Sequence, residues 1–298
     1  MDSIESSPIV IGGLGGSGTR VVAQFLYDLG IYMGSYLTEQ LDNYWVSFLF
    51  RNKKTFADTE LFNKRIEILK QTMLTGIQQK ALFFPLWTKV VIEQMDWGSR
   101  LKRPYRTVKW LAKSGYTFLT AKKLNSHYKG WGWKNPHSIN YVDKLDQVFD
   151  NLRFILMIRD GLDMAFSKNQ GMLYYWGPTF GVSVPQSPEE LPIRSIKFWY
   201  RINKRALLKG KQLGERFFPV SFEKLCLHPK PVLQKILKLT GISPSKKQFQ
   251  KLLEIVKIPP TLGRHKKYDL SVFSSQDLEN VKEIHEEVSR INYINQNK

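Results

Sequence analysis

Cysteine is almost missing from this chain. Cys226 stands alone among 298 residues, so no intrachain disulfide can form and a reducing compartment is expected. Long apolar runs are absent as well, and none approaches the roughly 20 residues of a membrane-spanning helix. The opening Met1-Asp-Ser-Ile-Glu-Ser-Ser lacks the basic and apolar regions of a signal peptide. A cytoplasmic protein without a transmembrane segment is therefore expected. Low-complexity tracts and repeats of fixed period are also lacking, which excludes solenoids and arrays. No His/Cys cluster has ligand spacing, so no metal site is expected. Acidic residues are scarce: 26 Asp and Glu face 45 Lys and Arg, for a net charge of +19. Such an excess favours anionic partners, including nucleotides, sulfated glycans, acidic membranes and nucleic acids. The basic residues are scattered, however, and their one knot (Arg100, Lys102, Arg103, Arg106) reads as a solvated helix end. No nucleic-acid partner is expected.

With 42% hydrophobic and 13% aromatic residues, the chain has ample material for a core. Pro8-Ile-Val-Ile-Gly is a β-branched run ending in glycine, as buried parallel strands do. A helical pattern follows from Thr19 to about Asp28, closed by Gly30. Residues 42–126 read as a largely helical insertion carrying half of the tryptophans. Trp131-Gly-Trp-Lys134 is a strand candidate, and Pro136 is suited to open a helix behind it. Leu152 to Ile158 is the clearest later strand, with a helix expected over Asp163–Asn169. The Gly-, Pro- and aromatic-rich stretch 171–192 is expected to be a loop or lid. Ile193–Leu213 reads as an amphipathic helix. Phe217–Phe222 reads as a strand whose Pro219 argues for an edge position. A last helix begins at Ser275, with Leu278, Val281, Ile284, Val288 and Ile291 on its apolar face. Strands alternating with helices imply an α/β fold with a central parallel sheet flanked by helices, in one domain over 1–298.

The candidate site starts at Gly12-Gly-Leu-Gly-Gly-Ser-Gly-Thr-Arg20, between a strand and a helix. Glycines there let backbone N–H groups close around an anion, and the helix N-terminus adds its positive end. Read as a nucleoside-triphosphatase loop, the lysine and hydroxyl slots hold Thr19 and Arg20, which argues against that class. The Gly13, Gly15, Gly18 spacing fits the dinucleotide fingerprint, but no convincing strand ending in Asp or Glu follows about 20 residues later. Three further stretches narrow the choice. Arg159 closes a strand and Ser167 lies eight residues on, in Leu152-Arg-Phe-Ile-Leu-Met-Ile-Arg-Asp-Gly-Leu-Asp-Met-Ala-Phe-Ser167. A guanidinium fork and a hydroxyl suit phosphate oxygens. Trp133-Lys-Asn-Pro136 forms the second stretch. The third combines Val220-Ser-Phe-Glu-Lys-Leu-Cys-Leu-His-Pro229 and Lys238-Leu-Thr-Gly-Ile242 with Gly263-Arg-His-Lys-Lys-Tyr268.

In this order, from about residue 8 to 290, the motifs resemble those of the sulfotransferase family that uses 3′-phosphoadenosine 5′-phosphosulfate (PAPS). The resemblance implies a P-loop nucleotide-kinase-like sulfotransferase fold and transfer of a sulfuryl group to a hydroxyl or amine, with adenosine 3′,5′-bisphosphate as product. It gives Gly15, Gly16, Ser17, Gly18, Thr19 and Arg20 to the 5′ phosphosulfate. Arg159, Ser167 and Arg264 fall to the 3′ phosphate, and Phe222 to the adenine. It implies Lys134 as the catalytic cation, Glu39 as the general base, Asp42 as a weaker substitute and His137 as the rival base. The acceptor is expected to be sugar-like or acidic, with carbohydrate and glycolipid as candidates. One departure is plain: members usually carry Lys or Arg immediately before Ser-Gly-Thr, and this chain has Gly16. Two alternatives stay open, a non-catalytic adenosine-phosphate or polyanion-binding protein and an NAD(P)-dependent oxidoreductase.

Overall fold

The computed structural model describes residues 7–75 and 120–294, with isolated positions between 85 and 117. The basic knot at 100–106 lies outside the described residues. Five strands form one sheet: β1 (Ile9–Gly13), β2 (Ile31–Tyr32), β3 (Gly130–Lys134), β4 (Arg153–Ile158) and β5 (Phe217–Ser221). Their order is β2-β3-β1-β4-β5 and all four pairings are parallel. β1 thus lies between β3 and β4, whereas the dinucleotide-binding order sets the first strand beside the second. The expected α/β architecture is present, and the oxidoreductase alternative loses its topology.

Both faces of the sheet are covered, which explains strands that read as unbroken apolar runs. The alternation of side chains divides them cleanly. Val10, Phe154, Leu156, Ile158 and Phe217 enter one core with the tryptophans of β3. Ile9, Ile11, Ile155, Met157, Phe218 and Val220 enter the other with Val22, Phe25 and Leu26 of α1 (Thr19–Asp28). The first core also takes α2 (Tyr44–Phe50) and α4 (Thr59–Leu74), with α3 (Lys53–Ala57) between them. It further takes α5 (Val142–Val148) and the long α8 (Glu190–Gly210), which packs across α6 (Gly161–Ala165). α9 (Phe222–Leu227), α10 (Pro229–Thr240) and α11 (Lys246–Ile255) close the second face.

Because all strands run the same way, the segments leaving β1, β3, β4 and β5 emerge along one edge of the sheet. The exits of β3, β4 and β5 are each fixed locally by a capping side chain, whereas α1 after β1 starts behind Gly18 without one. Asn135 Oδ1 accepts from His137 N at 3.0 Å after β3, Asp160 Oδ1 from Asp163 N at 2.9 Å after β4, and Ser221 Oγ from Lys224 N at 3.2 Å after β5. Such caps satisfy amides that the first helical turn leaves unpaired.

Several expectations change. Pro219 does sit in an edge strand, β5. The stretch 171–192 is not a plain loop: it holds α7 (Gly171–Trp176) and a 3-10 turn, Gly177–Phe180. Its glycines and Pro178 punctuate short helical turns, and only 181–189 is irregular. The helix expected over Asp163–Asn169 instead runs Gly161–Ala165, started by the Asp160 cap, so Ser167 lies past its end. Leu278 is 40% exposed, whereas Val281, Ile284, Val288 and Ile291 of α12 (Ser275–Ile294) are buried. The helical reading of 42–126 is met in α2, α3 and α4; much of the remainder lies outside the described residues. No described helix is long and apolar enough to cross a membrane.

Among the described residues of this helical layer, Arg65 of α4 is the one fully buried cation, at 1% exposure. Its guanidinium donates to Leu49 O at the end of α2 and to Thr55 Oγ1 of α3, tying three helices together. Burial lowers its pKa to about 10, which leaves it charged at neutral pH. Arg65→Ala should cost about 3 kcal/mol, since acceptors and a cavity are left behind. Urea unfolding of both proteins measures this, and a loss under about 0.5 kcal/mol, the range of ordinary surface changes, would remove the tie from the account.

Candidate functional site

The chain leaves β1 at Gly13 and turns so that Ser17 N donates to Leu14 O at 3.0 Å, with α1 starting at Thr19. Gly16 and Gly18 hold φ of +98° and +89°, a region that side chains resist. Space also matters at Gly18, where a Cβ would fall 2.2 Å from the Phe222 ring. At Gly16 a Cβ would have Ser167 Oγ within 4.0 Å, so the loop lies against the segment after β4. Ser17 is 1% exposed and its Oγ has no hydrogen-bond partner. Thr19 is buried and Arg20 exposed.

Arg159 follows β4 directly and is buried. Its guanidinium lies 5.1 Å from the centroid of the Phe222 ring, donates to Asp163 Oδ2 at 3.0 Å and reaches Thr261 O. Arg264 donates to Phe166 O at 3.4 Å, one residue before Ser167. Burial lowers the Arg264 pKa, and the charge of Arg159 lowers it further. Asp163, which accepts from Arg159 and from the amides of Gly263 and His265, holds the two arginines in one cluster. The Nε atoms of both are buried without a partner among the described residues. The structure thus brings together Gly16, Gly18, Phe222, Arg159, Ser167 and Arg264, which lie far apart in sequence. Two neighbouring cations and unsatisfied buried donors are chemistry that suits an anion.

Asp163 organises this cluster, and the sequence reading passed over it. At 1% exposure it accepts from Arg159 Nη2, from Gly263 N at 2.8 Å, from His265 N at 3.1 Å and from His265 Nδ1 at 2.8 Å. Burial alone would raise its pKa, but the donors from His265, Arg159 and Gly263 outweigh that and hold it below the usual carboxylate range. Its position four residues after Arg159, on the helix that the Asp160 cap opens, was the available signal. Asp160, Asp163 and His265 bring ligand-type atoms within 4.8 Å of one another. Those atoms are engaged with each other and with backbone donors, and Asp160 Oδ2 also meets His285 Nε2 at 3.1 Å.

Lys134 ends β3 and is 3% exposed. Its Nζ donates to Asp42 Oδ1 at 2.7 Å and to Gln40 O at 3.0 Å. Burial lowers its pKa, the Asp42 charge opposes that, and the Arg20 charge adds to the lowering. Asp42 arrives at Lys134 through a turn in which Leu41 N bonds Thr38 O and Asn43 N bonds Lys134 O at 2.8 Å. Glu39 sits inside that turn and is exposed. The carboxylate on Lys134 is thus Asp42, not Glu39, because the turn points residue 39 outward.

The ring of His137 is engaged elsewhere. Trp176 Nε1 donates to its Nδ1 at 2.9 Å, which leaves the neutral ring's proton on Nε2. Desolvation, with the charge of Arg51, pushes its pKa down to about 3. It is a packed histidine joining the segment after β3 to α7.

A family model described as the Sulfotransferase family matches residues 8–245. No curated protein sequence matches the chain. Similar solved structures include sulfotransferase STF9 from Mycobacterium avium, at 16% identity over 94% of this chain and 75% of that one, TM-score 0.45. The sulfotransferase domain of the Synechococcus PCC 7002 olefin synthase gives 13% identity over 94% of each chain, TM-score 0.48. The sulfotransferase from Alicyclobacillus acidocaldarius gives 13% over 97% of this chain and 96% of that one, TM-score 0.42.

Asp163→Asn should destabilise the protein by about 3–5 kcal/mol at pH 7, because Arg159 loses its buried counter-charge. A carboxyl whose folded pKa is depressed contributes stability above its unfolded pKa of about 4 and loses it as pH falls through the folded value. The gap between parent and variant should therefore be full at pH 7 and shrink below about pH 4. Urea titrations at several pH values measure it; a gap that widens on acidification has the wrong sign for this account.

Proposed function

The chain belongs to the sulfotransferase family, and from that premise we propose that it transfers a sulfuryl group from PAPS to an acceptor hydroxyl or amine. The observation that carries the reading is the pair of converging guanidinium groups, Arg159 and Arg264, with unpaired buried Nε atoms beside a glycine loop. Two anion-binding places on one ligand suit an adenosine with phosphate at both 3′ and 5′. In this reading the loop from Gly15 to Arg20 holds the 5′ phosphosulfate, aided by the N-terminus of α1. Arg159, Ser167 and Arg264 hold the 3′ phosphate, and Phe222 bounds the adenine. The orphaned Ser17 Oγ gains its partner when the donor binds.

PAPS supplies the activated sulfuryl group, and the chain's own task is to bind, orient and move a proton. The acceptor oxygen bonds to sulfur, the bond from sulfur to the 5′ phosphate breaks, and the acceptor proton goes to a carboxylate. We give that base role to Asp42 because of its 2.7 Å contact with Lys134. Protonation of Asp42 would neutralise it and release the Lys134 ammonium toward charge growing on the sulfuryl oxygens. Lys134, with Arg20 behind it, then stands in for the loop cation that Gly16 lacks. For the acceptor we favour an acidic or sugar-like molecule. Lys53 Nζ lies 4.8 Å from the Tyr175 ring centroid on α7, the helix that Trp176 ties to His137. The second reading, a binding protein without turnover, draws on Gly16 and on the ion pair that Lys134 already makes.

Calorimetry with adenosine 3′,5′-bisphosphate tests the donor site. Arg159→Ala should weaken binding by about 2–4 kcal/mol and Ser167→Ala by about 1 kcal/mol. Adenosine 5′-phosphate should bind far more weakly than the bisphosphate; equal affinities would remove the 3′-phosphate assignment. Turnover of labelled PAPS tests the chemistry. Lys134→Ala should lower it by about 10²–10³ and Asp42→Asn by about 10²–10⁴, with donor affinity little changed. Glu39→Gln and His137→Ala should be mild. A severe Glu39→Gln with a mild Asp42→Asn would return the base to Glu39. A parent that binds the bisphosphate yet turns over no acceptor favours the binding-protein reading.

A further inference from the structure

The donor site occupies the edge where the strands end. At the opposite edge, where β4 and β5 begin, lies a cavity of about 550 Å³ that the reaction does not use. Arg153 and Phe217, the first residues of those strands, line it. A strand of five or six residues spans roughly 17–20 Å, so the two sites are a full sheet apart.

The chemistry of this cavity is mixed in a particular way. Its apolar part is Phe218, Pro231 and Leu239, and Lys235 Nζ lies 6.0 Å from the Phe218 ring centroid. Four cations line it: Arg153, Arg216, Lys235 and Lys238. Arg216 is paired with Asp146 at 2.9 Å. Arg153 donates only to neutral carbonyls, Thr240 O at 2.8 Å and Ser7 O at 3.0 Å. Lys235 and Lys238 make no ion pair among the described residues. Glu215 is the single acid in the lining. With four cations against one acid in its lining, the cavity is positive before any ligand arrives. Asn292 completes it: Nδ2 donates to Pro219 O at 3.0 Å, while Oδ1 is buried without a partner.

We propose that this cavity binds a small aromatic phosphate carrying a hydrogen-bond donor, with Lys235 and Lys238 on the phosphate, Phe218 and Leu239 against the ring, and Asn292 Oδ1 on the donor group. A cavity of this size suits a ligand of nucleoside-monophosphate dimensions. Unneutralised lysines beside an apolar wall select an anion with a flat apolar body, and a simple inorganic anion would leave that wall bare. A nucleoside monophosphate and a plain aryl phosphate share this chemistry; only the first offers Asn292 a donor. The site stands independently of the donor assignment, because no residue is common to both.

The test titrates two probes, adenosine 5′-monophosphate and 1-naphthyl phosphate, into the parent, Lys235→Glu/Lys238→Glu, Asn292→Leu and Arg159→Ala. Both lysines are solvent-side residues of α10 without ion pairs, so charge reversal should leave the fold intact, which an unchanged Tm verifies. The double lysine variant should bind 1-naphthyl phosphate at least about tenfold more weakly than the parent, while Arg159→Ala binds it equally. For the nucleotide, Asn292→Leu should remove most of the second-site binding that survives in Arg159→Ala, and leave 1-naphthyl phosphate within about twofold. That outcome assigns the nucleoside monophosphate. Binding of 1-naphthyl phosphate alone, insensitive to Asn292, assigns an aryl phosphate. The proposal is overturned if probe binding follows Arg159 and ignores the lysines, if neutral 1-naphthol binds as tightly as its phosphate, or if neither probe binds.

Discussion

One buried carboxylate organises the edge of this protein where the strands end. Asp163 lies under the cluster with four donors on its two oxygens, drawn from β4's exit, from the 263–265 turn and from a histidine ring. Removing a carboxylate from water is costly unless such donors replace its hydration. Here they do, and each donor is thereby fixed in place. Arg159 is held over Phe222, Phe222 against Gly18, and Gly18 at the mouth of α1. The 261–265 segment, about a hundred residues later in sequence, is brought in by the same atom pair. Asp160 repeats the pattern one turn earlier, capping α6, meeting His285 of α12 and donating its own N–H to Glu223 at 2.9 Å. The elements after β4 and β5 and the final helix are thus joined through two carboxylates.

The parallel sheet makes this convergence possible. Strands that all end on one edge deliver their connecting segments to one crevice, the general ligand position of open α/β sheets. What differs from exit to exit is the cap: Asn135, Asp160 and Ser221 each stop a strand and start a helical turn within two or three residues. Short exits allow little slack. Lys134, Arg159 and Phe222 therefore project from backbone held on both sides by ladder bonds and helical turns, which limits the entropy that ligand binding must still remove.

The legible parts of the sequence were those in which local chemistry and tertiary position agree. β1 and α1 read correctly because a β-branched run, glycines and an amphipathic helix follow directly, and Pro219 named its edge strand because proline cannot donate to a ladder. The spacing of Arg159 and Ser167 was legible, although Ser167 lies beyond the helix, not on it. What the sequence hid shares one cause, contact between distant segments. Asp42 meets Lys134 and Glu39 is exposed only because a turn closed by Thr38, Leu41 and Asn43 points one inward and the other out. Asp163 gains its role from residues 261–265, which no local pattern announces. The 171–192 stretch was misread because glycine and proline there punctuate helical turns that Trp176 anchors on His137. β2, two residues long, is below what alternation can reveal.

Charge accounts for the remainder. Where the strands end, Arg159, Arg264, Lys134 and Arg20 meet the carboxylates Asp163 and Asp42, with Asp160 and Glu223 beside them. Two unit charges 4 Å apart at an effective dielectric of about 20 interact by about 4 kcal/mol, comparable to a large share of a domain's net stability. Burial lowers the Arg264 pKa, and the charge of Arg159 lowers it further. Burial likewise lowers the Lys134 pKa, with a smaller contribution from Arg20. Under the sulfuryl-transfer proposal a bound anion would offset these effects, and Gly16 would leave the positive charge to side chains of the neighbouring strand and helix.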